Sequence, residues 1–154
     1  MSLHDLITPD SIISSLRARS RIQAFKEMAG VAAKLSGLPC QRIFEAVMER
    51  EELGATDVGG GIAIPHGKLA EARNIFAVFA RFEKPVDFEA RDGVPVDVVC
   101  LLIAPESSGA DHLKALSRVA RVLHDPLRMA RLRSVSDAAA LYLLLTQAAG
   151  ARAA

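Results

Sequence analysis

The sequence predicts an α/β fold, a three-layer α/β/α sandwich in which a small mixed sheet is flanked by helices. Three observations carry that prediction. Helical periodicity occupies both ends of the chain and strand-like patterning the middle, an order suited to one mixed sheet covered on both faces. Residues 74–82 are apolar on both alternating faces, with Phe76, Val78, Ala80 and Phe82 on one and Ile75, Ala77 and Phe79 on the other. Residues 96–103 form a nearly continuous apolar run broken only by Asp97, as in a central strand.

The elements follow in order. Residues 11–16, with Ile12 and Ile13, supply an edge strand. Ser20 is placed as the N-cap of a helix, with Gln23 in the capping-box position. Ile22, Phe25, Met28, Ala32 and Leu35 follow at helical spacing, and Gly37 with Pro39 ends that helix. A second helix begins at Pro39, a favoured first-turn residue, and carries Ile43, Phe44 and Val47 on one stripe. After Gly54 the pattern changes to a triple glycine, a short strand Ile62-Ala63-Ile64, and a stop at Pro65-His66-Gly67.

The two apolar strands come next, with a turn at Asp92-Gly93 between them and a loop over 105–109 after them. A helix then carries Leu113, Leu116, Val119 and Val122 at helical spacing and ends before Asp125-Pro126. A short Pro-initiated helix carries Leu127, Met129 and Leu132. A last helix is capped by Ser136 and carries Leu141, Leu144 and Leu145, and residues 149–154 are expected to fray.

Composition narrows the function. A chain of 154 residues that is 51% hydrophobic is read as one domain over 1–154, able to bury about 68–70% of its unfolded surface without disulfides or metal. Nineteen basic against 18 acidic side chains, a net of +1, argue against duplex nucleic acid or an anionic membrane as partner. Cys40 and Cys100, without a CxxC pair, read as small buried hydrophobes in a reducing cytoplasm. The acidic Asp5 near the N-terminus does not suit a signal peptide, and the apolar stretch 98–104 is far too short to span a bilayer. The chain is therefore expected to be soluble and cytoplasmic.

The segment 59–68, Gly-Gly-Gly-Ile-Ala-Ile-Pro-His-Gly-Lys, is the candidate site. It fails the Walker pattern twice, at Ile62 and Leu69, and fails G-x-G-x-x-G at Ile64. What remains is the imidazole of His66 between a residue that stiffens the chain, Pro65, and one without a side chain, Gly67, which lets a partner's backbone approach. Lys68 sets a mobile cation beside it, suited to phosphate. A neutral imidazole with one free lone pair is a competent nucleophile for reversible phosphoryl transfer. A histidine in an ordinary turn is the alternative reading.

Arg50, the segment 59–68 and His112 resemble the enzyme IIA domains of the fructose–mannitol class of the bacterial phosphotransferase system, and within it the stand-alone nitrogen-regulatory group. Segment 59–68 is similar to the motif around the phosphorylated histidine there. Glu49-Arg50-Glu51 resembles the family's Glu-Arg-Glu segment, and His112-Leu113-x-x-Leu116 its second active-site histidine. The correspondence runs in order along nearly the whole chain from Leu6-Ile7-Thr8-Pro9. Asp57 and the triple glycine depart from the Gly-x-Gly-Asn-Gly common in the family.

The resemblance implies that His66 accepts a phosphoryl group through Nε2 from an HPr-like carrier, with Nδ1–H held by an acceptor. It implies that Arg50 offsets phosphoryl charge and that His112 stabilises the group or orients His66. Lys68, Gly61 and Gly67 are the further expected phosphate contacts. No cofactor or metal is implied, since His66 and His112 lack the acidic or cysteine neighbours of a zinc site. His4 and His124 read as structural. The implied role is a phosphocarrier that regulates protein partners through its phosphorylation state. The alternative is a sugar-specific IIA that passes phosphate to a IIB transporter component, which the lack of a fused IIB, HPr or membrane segment disfavours. A binding module whose histidine is never phosphorylated is the third reading.

Overall fold

A computed structural model of the protein describes residues 3–147. The elements among them are β1 (Ile12–Leu16), α1 (Arg21–Ser36), α2 (Cys40–Glu52), β2 (Asp57–Gly59), β3 (Ile62–Ala63), β4 (His66–Leu69), β5 (Phe76–Val86), β6 (Val96–Pro105), α3 (Ala110–Leu123), α4 (Pro126–Ser134) and α5 (Ala138–Thr146), with 3-10 turns at Pro9–Ser11 and Glu106–Ser108. The six strands form one mixed sheet in the order β1-β5-β6-β3-β2, with β4 also paired to β6. β5 and β6 run antiparallel at its centre, and β1, the edge strand the sequence predicts, lies parallel to β5.

The two-sided pattern of β5 and β6 produces two cores. Val78, Ala80, Phe82, Val99, Leu101 and Ile103 pack under α1 and α2. Their alternating neighbours Ala77, Phe79, Val98, Cys100 and Leu102 pack under the N-terminal segment and α3 to α5. Each fully buried Leu, Val or Phe contributes about 1.5–3 kcal/mol, so neither face of the central strands can do without its helices. The predicted three-layer arrangement is the observed one.

The helix ends show how the sequence sets local structure. Ser20 Oγ accepts from Gln23 N–H at 3.1 Å, while Gln23 Oε1 accepts from Arg19 N–H, one residue earlier than a capping box would place it. Gly37 closes α1 in the left-handed region at φ 77°, where a side chain would be strained. Pro39 is the N-cap of α2 and not its first helical residue. Asp137, not Ser136, caps α5, because its carboxylate reaches Ala140 N–H at 3.0 Å.

Other expectations are corrected by packing. Leu113 and Leu127 are exposed, at 65% and 62%, and His112 with Ala115 takes the inward stripe of α3 in place of Leu113. Cys40 is exposed, whereas Cys100 is buried in the sheet and its thiol is pushed up to about 12 by burial. His66 opens a strand of its own instead of ending one in a turn. The expected fraying of 149–154 lies outside the described residues. No helix among the described residues is long and apolar enough to cross a membrane.

Candidate active site

The site begins with the break between β3 and β4. Both short strands lie parallel along one edge of β6, with Ala63 opposite Val99 and His66 opposite Leu102. Between them stands Pro65, which has no N–H to give to a ladder. Its carbonyl still accepts from Leu102 N–H at 2.9 Å. The neighbouring Ile64 carbonyl lies 3.0 Å from His66 Nδ1. The interruption thus turns one backbone acceptor toward an imidazole.

Two contacts determine the tautomer of that imidazole. A carbonyl only accepts and a guanidinium only donates. Nδ1 must therefore carry the proton shared with Ile64, and Nε2 must accept from Arg50 Nε, 3.1 Å away. Burial holds the His66 pKa below its ordinary value, and the nearby charges of Arg50 and Lys68 push the same way against the Ile64 hydrogen bond. The result is a half-buried, neutral imidazole whose one lone pair is on Nε2.

Arg50 reaches His66 because α2 lies close on β4. Gly67 is buried, and a Cβ there would meet the Ala46 Cβ at 3.1 Å and the Val47 nitrogen at 3.2 Å. Its missing side chain admits a helix of its own chain, where the sequence reading expects a partner's backbone. One turn beyond Ala46, Arg50 is steadied by a second bond, from its guanidinium to the Gly54 carbonyl at 2.9 Å.

His112 arrives from the first turn of α3, after Gly109 at φ 53° and ψ −123°, a conformation restricted to glycine. It is 4% exposed, and its ring centroid is 5.3 Å from that of His66. Burial first, then the charges around it, lower its pKa. Its Nδ1 is buried with no hydrogen-bond partner among the described residues.

Arg50, His66, Lys68 and His112 line one cleft of about 700 Å³, and Gly67 contributes to its wall. Gly61 lies outside it, at the other end of β3, in a turn at φ 81° where a Cβ would meet Asp97 Oδ1 at 3.0 Å and the Pro95 carbonyl at 3.1 Å. The sequence reading missed the rim, made of Arg42, Glu45 and Glu49 from α2 and Leu53 at its C-cap, with Glu106 and Leu113. The signal was present: those α2 positions recur at helical spacing on the face that carries Arg50. His4 and His124 stand elsewhere, His4 edge-on to Tyr142 and His124 at the C-cap of α3.

A neutral nucleophilic nitrogen, an arginine on its lone pair and a second buried imidazole suit the handling of a phosphoryl group, which needs charge stabilisation more than acid–base chemistry. Residues 5–148 match the family described as the phosphoenolpyruvate-dependent sugar phosphotransferase system, EIIA 2. The chain is 50% identical over 145 residues to the nitrogen regulatory protein of Bradyrhizobium diazoefficiens, covering 94% of this chain and 95% of that one. It is 36% identical over 151 residues to that of Escherichia coli K12, covering 97% and 93%. Among solved structures it resembles the nitrogen regulatory protein IIA-Ntr of Neisseria meningitidis, with TM-score 0.87, 32% identity, and 92% and 97% of the two chains covered. On this match, carried along nearly the whole chain, the protein belongs to the EIIA 2 family of the phosphotransferase system.

Proposed function

We propose that the protein is a cytoplasmic phosphocarrier of a nitrogen-related phosphotransferase system, loaded on His66 by an HPr-like carrier and read by regulatory partners. The observation that carries this is the forced tautomer: the one lone pair of the ring is on Nε2, where Arg50 Nε donates to it in the cleft. Nε2 attacks the phosphorus of a phosphohistidine in line, the donor's N–P bond breaks, and its electron pair returns to the donor ring. Nδ1 keeps its proton throughout. As the new N–P bond forms, the ring gains positive charge and the Ile64 carbonyl stabilises it, a contact that strengthens in the transition state.

Arg50 yields the lone pair and turns its fork to the phosphoryl oxygens, as a planar bidentate donor suits. His112 donates to the same oxygens, and Lys68 adds a mobile positive charge at the mouth. The loaded site gains about 1.5–2 negative charges, by analogy with other phosphorylated side chains. It lies between the exposed Leu53 and Leu113, so a partner seated on the rim senses the change directly.

Incubation with phosphorylated HPr-like donors tests the reading. An acid-labile phosphoryl group on His66, absent from His66→Ala, is expected. No label from any such donor overturns it, and label that passes on to a sugar transporter component without affecting regulatory partners overturns the regulatory part.

A further inference from the structure

Arg50 and Glu51 are consecutive residues in the last turn of α2, about 100° apart around its axis. Arg50 opens into the cleft, whereas Glu51 is turned inward and is 8% exposed. A carboxylate is poorly placed there on two counts. Burial penalises its charge, and the C-terminal end of a helix dipole repels an anion. An apolar residue of similar size would serve packing better, so the carboxylate calls for another explanation.

Its contacts lead to the nucleophile. Thr56 Oγ1–H donates to Glu51 Oε2 at 2.5 Å, a short charge-assisted bond. The Thr56 carbonyl accepts from Ile64 N–H at 3.0 Å. The Ile64 carbonyl then accepts from His66 Nδ1–H at 3.0 Å. Pro65 cannot donate, so the peptide unit joining Ile64 to Pro65 offers only that acceptor. Its direction is set on one side by Thr56 holding Ile64 N–H and on the other by Leu102 N–H holding the Pro65 carbonyl at 2.9 Å.

We propose that Glu51 and Thr56 are positioning residues for His66: through the Thr56 carbonyl they aim the Ile64 carbonyl at Nδ1 and so keep the Nε2 lone pair directed into the cleft. The last turn of α2 thereby controls both ring nitrogens, Nε2 directly through Arg50 and Nδ1 through Glu51, Thr56 and Ile64. The charged groups facing Glu51 are Arg21 from α1, 3.9 Å away, Arg50 beside it on α2 and Asp57 at the start of β2. Arg21 is too distant for a hydrogen bond, so Thr56 is the close partner that directs the carboxylate. The consequence for phosphoryl acceptance rests on the function proposed above, whereas the geometric claim does not.

The test uses the whole chain with nitrogen-15-labelled histidine. Thr56→Val keeps the shape and removes the hydroxyl, Thr56→Ser restores it, and Glu51→Gln removes the charge. In Thr56→Val the His66 Nδ1–H is expected to exchange with water at least about tenfold faster, the Nε2–H tautomer to rise, and phosphoryl acceptance to slow about tenfold, since small misplacements of a reacting group are felt strongly. Thr56→Ser should restore all three, and Glu51→Gln should fall between. If Thr56→Val and Glu51→Gln fold and keep the parent's exchange, tautomer ratio and rate, the proposal is overturned. If Thr56→Val does not fold, Glu51→Gln decides alone. Should the parent itself accept no phosphoryl group, the proposed function fails while the exchange and tautomer measurements still decide the positioning claim.

Discussion

Arg50 Nε donates to His66 Nε2 at 3.1 Å, so the resting site holds its arginine on the atom that the proposed transfer makes the nucleophile. This contact fixes the tautomer and adds to burial in lowering the affinity of the ring for a second proton, and in the proposed transfer it is exchanged for phosphoryl oxygens. Arg50→Gln is therefore expected to raise the His66 titration midpoint toward its ordinary value, because a neighbouring positive charge is gone. The same change should slow phosphoryl acceptance by about 10²-fold, the loss typical of one transition-state charge donor. Proton NMR titration and a single-turnover labelling assay read the two effects. A slower reaction with an unmoved midpoint would contradict the direct contact.

The acid side of the pH profile follows from the two lowered imidazoles. Burial is the main cause for both His66 and His112, which favour the neutral form when folded. Their folded values lie below the ordinary 6.5, so stability present above that pH is lost as the pH falls through the folded values. Thermal melts between roughly pH 7.5 and 5, the imidazole window, should show a falling Tm. The double variant His66→Gln/His112→Gln should show a shallower fall, and an unchanged slope would refute the assignment. Glu51 has the opposite sign. Its folded value is raised mainly by burial, so its favourable contribution is complete below the ordinary 4.5 and is lost as the pH rises through the raised value.

Gly67 links stability to the site. A Cβ at that position would press on Ala46 and on the Val47 nitrogen at 3.1–3.2 Å, and backbone cannot swing aside as a flexible side chain does. Gly67→Ala is expected to destabilise the protein by about 1–3 kcal/mol, as overpacking does. It should also slow phosphoryl acceptance more than the lost stability explains, because α2 carries Arg50 away from His66. Denaturant unfolding with labelling under fully folded conditions separates the two. A variant that keeps both stability and rate would show that α2 and β4 tolerate wider spacing.

The rim leucines should affect docking and leave the chemistry alone. Leu53 and Leu113 are 83% and 65% exposed, so their replacement by serine removes little core packing. The expected result is an unchanged Tm with affinity for the phosphoryl donor reduced about tenfold or more, in line with the 1.5–3 kcal/mol available from burying a leucine. Calorimetric titration against the donor protein checks it. Equal affinity would place the docking surface elsewhere.

Much of this protein is legible in local pattern. The alternation in β5, the nearly continuous apolar run of β6 and the caps at Ser20 and Gly37 follow from periods and residue chemistry that act over a few positions. The segment 59–68 can likewise be singled out, since a proline–histidine–glycine step after a short strand is informative without any partner. The reading went astray where neighbours distant in sequence decide. Leu113 is apolar and at core spacing, yet it is exposed at the cleft because His112 occupies the inward position opposite His66. Gly61 sits in the same glycine run as the site, but Asp97, Pro95 and Arg133 surround it at the far end of β3.

Chain-local physics thus determined the layered α/β fold and most helix limits, and it singled out the histidine between Pro65 and Gly67, whereas β2 and β4 emerged only in the sheet. The family resemblance implies which nitrogen of His66 carries the proton. Only the tertiary structure supplied the groups that decide it, Arg50, 16 positions away, donating to Nε2 while the Ile64 carbonyl accepts from Nδ1. It alone decided that Gly67 admits a helix of its own chain and that Glu51 is held by Thr56 beneath the site. The physical reason is that periodicity reports which face of an element is buried, whereas a hydrogen bond's direction depends on the atom placed opposite, and that atom comes from another element.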